Sequence, residues 1–109
     1  MSSLSTHVLD TVHGCPAQGV AVKLYADAVS LFEGWTDADG RCRNLPALPP
    51  RRYRLQFAVA AYFRAKGIEL PHPPFLDVVT IDFGIAEADS HYHVPLLVSP
   101  YGYSTYRGS

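Results

Sequence analysis

Of the chain's five histidines, two, His91 and His93, stand one residue apart. In an extended segment alternate side chains point the same way, so both imidazoles would share one face. Imidazole titrates near neutrality and can take up or release a proton during a reaction, or ligate a metal. A third histidine, His7, belongs to the alternating run Leu4 to Leu9, where it faces away from Val8. Arg41 follows directly on Asp37-Ala38-Asp39-Gly40, a tight-turn signal because Asp and Gly tolerate positive φ. Such a turn would hold a planar guanidinium in place, able to offer paired donors to a ligand's oxygens and nitrogens. For each residue a plain alternative stands beside the chemical one. On the local pattern alone His7 reads first as a surface strand residue, and Arg41 as an ordinary hairpin arginine.

Other chemistries find little support. The pair His91 and His93 is half of a metal site at most, since no Asp or Cys is evidently placed to complete it, and no metal is expected. There is no Cys-x-x-Cys, no phosphate-binding loop and no dinucleotide glycine pattern. No serine occupies a strand-to-helix elbow. Nine basic and ten acidic side chains give a net charge of −1, which provides no electrostatic footprint for nucleic acid or an anionic membrane. The longest apolar stretch, Phe57 to Phe63, is too short to span a bilayer. Cys15 and Cys42 do not make a disulfide framework. With no charged-then-apolar leader before His7, both are expected to be reduced thiols in a cytoplasmic protein. His13, in a turn-rich stretch, and His72, among prolines, read as solvated.

The elements that must position these residues read mostly as strands. Val20, Val22 and Leu24 alternate against Ala21, Lys23 and Tyr25; Tyr53, Leu55, Phe57 and Val59 alternate against Arg54, Gln56 and Ala58. Val29 to Thr36 is a weaker strand, and Val78 to Phe83 another. Between them, Ala58 to Lys66 with Gly67 beyond predicts one or two helical turns ending at a glycine cap. In the last block Tyr92, Val94, Leu96 and Val98 face the core, leaving His91, His93, Pro95 and Leu97 outward. Pro95 cannot donate to a ladder, which predicts an edge position or an irregularity. The block from His91 to the end carries four tyrosines, two histidines and an arginine, more large side chains than a frayed terminus usually has, so it is expected to be docked. Seven or eight short strands and one helix, with no internal boundary or repeat, indicate a single domain over 1–109, an antiparallel β-sandwich.

The ending HYHVPLLVSPYGYSTYRGS, with Ser5-Thr6-His7-Val8-Leu9-Asp10 near the start and Thr36-Asp37-Ala38-Asp39-Gly40-Arg41 between, closely resembles the transthyretin-related 5-hydroxyisourate hydrolases. The likeness runs along nearly the whole chain. It implies an all-β transthyretin-like sandwich of two four-stranded sheets, with the short helix after the fifth strand. It also implies an enzyme that opens 5-hydroxyisourate, the product of urate oxidation, to 2-oxo-4-hydroxy-4-carboxy-5-ureidoimidazoline. Carried over position by position, the family's catalytic residues fall on His7, Arg41, His93 and Ser109. Substrate contacts fall on His7, Arg41, Tyr106, Arg107, Gly108 and Ser109, the terminal carboxylate of Ser109 being one possible aid to a histidine or to water. No cofactor is implied. The family's assembly is a homotetramer, a dimer of dimers with its sites in the channel between dimers. The family's hormone carriers, which lack the Tyr-Arg-Gly-Ser ending, make a non-enzymatic small-ligand carrier the rival reading.

Overall fold

A computed structural model describes residues 1–109. Eight strands and one helix follow in order: β1 (Ser3–Asp10), β2 (Cys15–Pro16), β3 (Ala21–Ala26), β4 (Val29–Trp35), β5 (Arg51–Ala58), α1 (Val59–Ala65), β6 (Val78–Ile85), β7 (His91–Ser99) and β8 (Gly102–Thr105). They make two four-stranded sheets, β2-β1-β7-β8 and β4-β3-β5-β6, packed face to face.

The alternation in sequence becomes the division between core and outer faces. In β1, Leu4, Thr6 and Val8 point inward while His7 is half-buried on the outer side. Leu24, Leu55, Phe57, Phe63 and Leu96 are fully enclosed, and each such burial contributes about 1.5–3 kcal/mol before conformational entropy is subtracted. The two enclosed threonines keep their hydroxyls satisfied. Thr6 donates to the Val94 carbonyl at 2.7 Å, and Thr36 donates to the Ala17 carbonyl at 2.6 Å. The helix buries Val59, Ala60, Tyr62 and Phe63 and ends where Gly67 takes φ +85°, as its glycine cap predicts.

Four expectations are corrected. Five of the six strand pairings are antiparallel, but β1 runs parallel to β7, from Ser3 opposite His91 to Asp10 opposite Val98. Second, β7 is not an edge strand; it lies between β1 and β8. Pro95 instead marks an irregularity on the β8 side. There the ladder stops at Leu96 opposite Thr105 and resumes, in the same register, at His93 opposite Gly108. Proline has no N–H to offer the position between, and the Thr105 hydroxyl donates to the Pro95 carbonyl at 2.7 Å instead. Third, the turn after β4 closes no hairpin. It hands the chain to the other sheet, where Arg41 forms an isolated bridge to His7. The stretch Asp10 to Gln18, read as turn alone, also contains β2.

His13 is exposed as expected, yet it is anchored. Its Nδ1 lies 2.6 Å from Oδ2 of Asp10, which also accepts from the Tyr62 hydroxyl at 2.7 Å. Oδ1 of Asp10 takes the backbone N–H groups of Val12 and His13. Burial alone would raise the Asp10 carboxyl, but these bonds outweigh it and hold the group below its ordinary value. The same cluster pushes the Tyr62 phenol up, through burial and the adjacent carboxylate.

Candidate active site

The parallel register of β1 and β7 assembles a site on the outer face of their sheet. It sets Ser5 beside His93 and His7 beside Pro95. Arg41 flanks His7 on one side, and Gly108 flanks His93 on the other. His7, Arg41, His93 and Gly108, separated by up to a hundred positions in sequence, thus meet on two adjacent rows of one sheet.

Each is held by a local device. Arg41 is fixed through its backbone. The Asp37 carboxylate accepts the N–H groups of Asp39 at 2.9 Å and Arg41 at 3.1 Å, and the Nε of Arg43 at 2.9 Å. The Arg41 N–H contributes most to keeping the Asp37 carboxyl below its ordinary value. Gly40, at φ +74°, packs against β1 so tightly that a Cβ would stand 2.4 Å from the Val8 carbonyl oxygen. The guanidinium of Arg41 takes part in none of the chain's six ion pairs, whereas those of Arg43, Arg51 and Arg54 are each matched to a carboxylate.

His93 is half-buried. The Ser5 hydroxyl lies 2.7 Å from its Nδ1, and its carbonyl accepts the Gly108 N–H at 2.8 Å. Gly108 is required by space: a Cβ there would come within 2.5 Å of the His93 ring. Burial lowers the His93 pKa, and the neighbouring Arg41, His7 and His91 lower it further. A neutral imidazole able to accept a proton is therefore the form favoured near neutrality.

The remaining tail residues divide. Ser109 follows Gly108 at the exposed end. Tyr106 is exposed, and with Arg107 it lines a groove of about 230 Å³ beside Ile81, Phe83 and Tyr92. The Arg107 guanidinium stacks 4.0 Å from the Tyr92 ring centre and donates to the His91 carbonyl at 3.3 Å. That is the core-facing side of β7, so Arg107 is not gathered with His7, Arg41 and His93. The tail as a whole is docked through its backbone, while Tyr101, Tyr103 and Tyr106 remain in solvent. Cys42 beside Arg41 is a core thiol pushed up to about 11 by burial and by Asp37, unsuited to nucleophilic work. Ser5 escaped the sequence reading, although the alternation Leu4 to Leu9 already put it on the face of His7. What could not be read was the parallel partner that places it against His93.

The family model described as HIUase/Transthyretin family matches residues 4–108. The chain belongs to that family. It is 51% identical over 118 residues to a 5-hydroxyisourate hydrolase of Pseudomonas aeruginosa, covering 100% of this chain and 93% of that protein. The structure of Klebsiella pneumoniae 5-hydroxyisourate hydrolase superposes with a TM-score of 0.86 at 40% identity, covering 100% of this chain and 94% of the other. Sea bream transthyretin in complex with thyroxine superposes with a TM-score of 0.85 at 34% identity, covering 96% and 93%. In the HIUase/Transthyretin family, then, one sandwich of two four-stranded sheets and a helix underlies both an enzyme and a hormone-binding protein. Backbone likeness does not separate them.

Proposed function

We propose that this protein is a 5-hydroxyisourate hydrolase and that His7, Arg41 and His93 form its reaction centre. The observation that carries the reading is the convergence of an unpaired guanidinium and two imidazoles on one outer sheet face, with Gly108 pressed against His93. The substrate is a small planar heterocycle whose ring amide-type C–N bond is opened by water. Arg41 polarises the carbonyl and holds the oxygen as it becomes negative. His93 or His7 takes a proton from water as its oxygen attacks the carbonyl carbon. The tetrahedral intermediate then collapses, the C–N bond breaks, the leaving nitrogen receives a proton from a histidine N–H, and the new carboxylic acid ionises to solvent. The Ser109 hydroxyl, next to Gly108 and His93, contributes a substrate contact, whereas Tyr106 and Arg107 line the groove beside Tyr92 and stand apart from the reacting groups. None of these steps calls on a metal or organic cofactor.

A carrier with this fold needs a binding channel but no proton acceptor beside a free guanidinium. The experiment that separates the two generates hydroxyisourate from urate with urate oxidase and follows its absorbance. A hydrolase speeds the decay and yields the ring-opened carboxylate. A carrier retains the heterocycle unchanged.

The proposal extends to assembly and place. Half-buried His7, His93 and Leu97 and the buried Pro95 make an outward face that would close into a pocket only when covered. A homotetramer, a dimer of dimers with sites in the channel between dimers, would cover it, and β6 and β8 present free edges for such pairing. The chain is read as one domain over 1–109. A cytoplasmic location agrees with two unbridged cysteines, Cys15 and Cys42. No helix is long and apolar enough to cross a membrane.

A further inference from the structure

His91 shares a face with His93 but has no part in the chemistry just described, and its surroundings are too ordered for an idle surface residue. Ser3 Oγ lies 2.5 Å from His91 Nδ1, His91 Nε2 lies 2.9 Å from Ser5 Oγ, and Ser5 Oγ lies 2.7 Å from His93 Nδ1. Four side chains from two parallel strands thus form one unbroken hydrogen-bonded line, from exposed Ser3 to half-buried His93.

We propose that Ser3, His91 and Ser5 form a relay that ties the tautomer of His93 to that of His91 and exchanges protons between His93 and solvent, an inference resting on the hydrolase reading above. Each serine has one proton to donate, and each neutral imidazole has one donor and one acceptor nitrogen. The line can therefore be satisfied in only two ways. With Ser3 donating to His91, His91 to Ser5 and Ser5 to His93, the His93 Nε2 carries a proton and can give it. With every bond reversed, His93 Nδ1–H donates to Ser5 and Nε2 is free to accept. Which nitrogen is protonated is set by the bond the other one makes.

The balance of the reaction gives the relay its work. The leaving nitrogen of the ring amide must gain a proton, and before that the attacking water must lose one. When His93 Nε2 takes that proton, Nδ1 passes its own to Ser5 Oγ, whose hydroxyl proton moves to His91 Nε2. His91 Nδ1 then protonates Ser3 Oγ, and Ser3 releases a proton to water. One proton enters at Nε2, one leaves at Ser3, and no side chain keeps a charge. Nε2–H then protonates the leaving nitrogen, the hops run in reverse with a proton drawn from water at Ser3, and the line returns to its starting arrangement. The groups facing His93 that are charged or can become so oppose its staying protonated. They are Arg41 from the turn after β4, His7 from β1 and His91 from its own strand. Arg107 of the tail is turned to the other side of β7. Ser5 and His91 are thereby positioning residues that act through His93.

The test uses the full chain with Ser5→Ala, Ser5→Thr and His91→Gln. It reads kcat, KM and their pH profiles, together with the imidazole ¹⁵N shifts of His93 in the free protein. Ser5→Ala and His91→Gln should lower kcat by about 10–100-fold with little change in KM, because the proton path is cut and not the substrate contacts. Ser5→Thr should recover most of the loss, and added imidazole should partly restore His91→Gln by accepting the proton directly. In Ser5→Ala the His93 ¹⁵N shifts should change, because its tautomer is no longer tied to that of His91. Turnover of both variants within about twofold of the parent would overturn the relay, as would unchanged His93 shifts. A parent protein that does not hydrolyse hydroxyisourate would defeat the hydrolase reading, while the ¹⁵N spectra would still decide whether this line ties the two tautomers.

Discussion

At His93 two neighbours fix the ring from opposite sides, the Ser5 hydroxyl and the bare Cα of Gly108. Gly108→Ala puts a methyl carbon where the ring already is, 2.5 Å from Cδ2, so the imidazole must turn or the tail must lift. Turnover should fall by about 10²-fold, since displacing a reacting group by an ångström is commonly worth that much. The melting temperature should stay close to the parent's, because Gly108 supplies no core burial; steady-state kinetics beside a thermal melt checks both. Asp10 makes the opposite kind of prediction, on stability. Its folded carboxyl titrates below the value of 3.8 it has when free. The stabilisation it brings is therefore present above that pH and is lost as pH falls through the lower, folded value. Thermal melts from pH 7 down to 3 should show a drop in the acid range. Asp10→Asn should be less stable at pH 7 and flatter with pH, because an amide keeps poorer bonds to His13 and Tyr62 and does not titrate. A parallel acid drop in both proteins would place the acid sensitivity elsewhere.

At the level of elements, β7 does two jobs at once. Its inward residues Tyr92, Val94, Leu96 and Val98 build the core, and its outward residues build the site. Pro95 interrupts its pairing with the tail just enough to free Tyr106 and Arg107 from the ladder before Gly108 rejoins it. Deleting residues 106–109 should leave the sandwich folded, since none of the four is buried. It should also reduce turnover by about 10²-fold or more, because preorganised groups at a reacting centre are typically worth that much apiece. Melting and hydrolysis measured on the same truncated protein decide it, and a truncated chain that turns over normally would remove the tail from the site. Much of this was legible beforehand. The two-residue period gave the faces of β1, β3, β5 and β7, Gly67 gave the end of α1, and the Asp-Gly turn gave the place of Arg41. Register across the sheet was not legible. Local alternation says which way Ser5 and His7 point but not that β1 runs parallel to β7, because that pairing joins residues 88 positions apart. For the same reason Pro95 announced a missing donor without saying which neighbour would go unpaired, and the bond from Tyr62 to Asp10 left no local trace.

The whole molecule is a flattened body of 42 × 27 × 20 Å, and the proposed reaction centre lies on an outer face rather than in a cleft. A polar reaction works better with water excluded, and the proposed tetramer would supply that exclusion with a second copy. Light scattering should accordingly report a tetramer at micromolar concentration, and dilution to monomer should lower turnover. A fully active monomer would contradict the covered site. The central claim, that the outer face of β1 and β7 hydrolyses hydroxyisourate, rests most directly on Arg41, whose planar fork lysine keeps in charge but not in shape. The deciding measurement is the decay of enzymatically generated hydroxyisourate with the parent protein and with Arg41→Lys, beside melts of both. The parent should accelerate the decay strongly, and Arg41→Lys should melt normally yet retain no more than about a hundredth of that rate. A parent that leaves the spontaneous decay unchanged, or a lysine variant as fast as the parent, would contradict it.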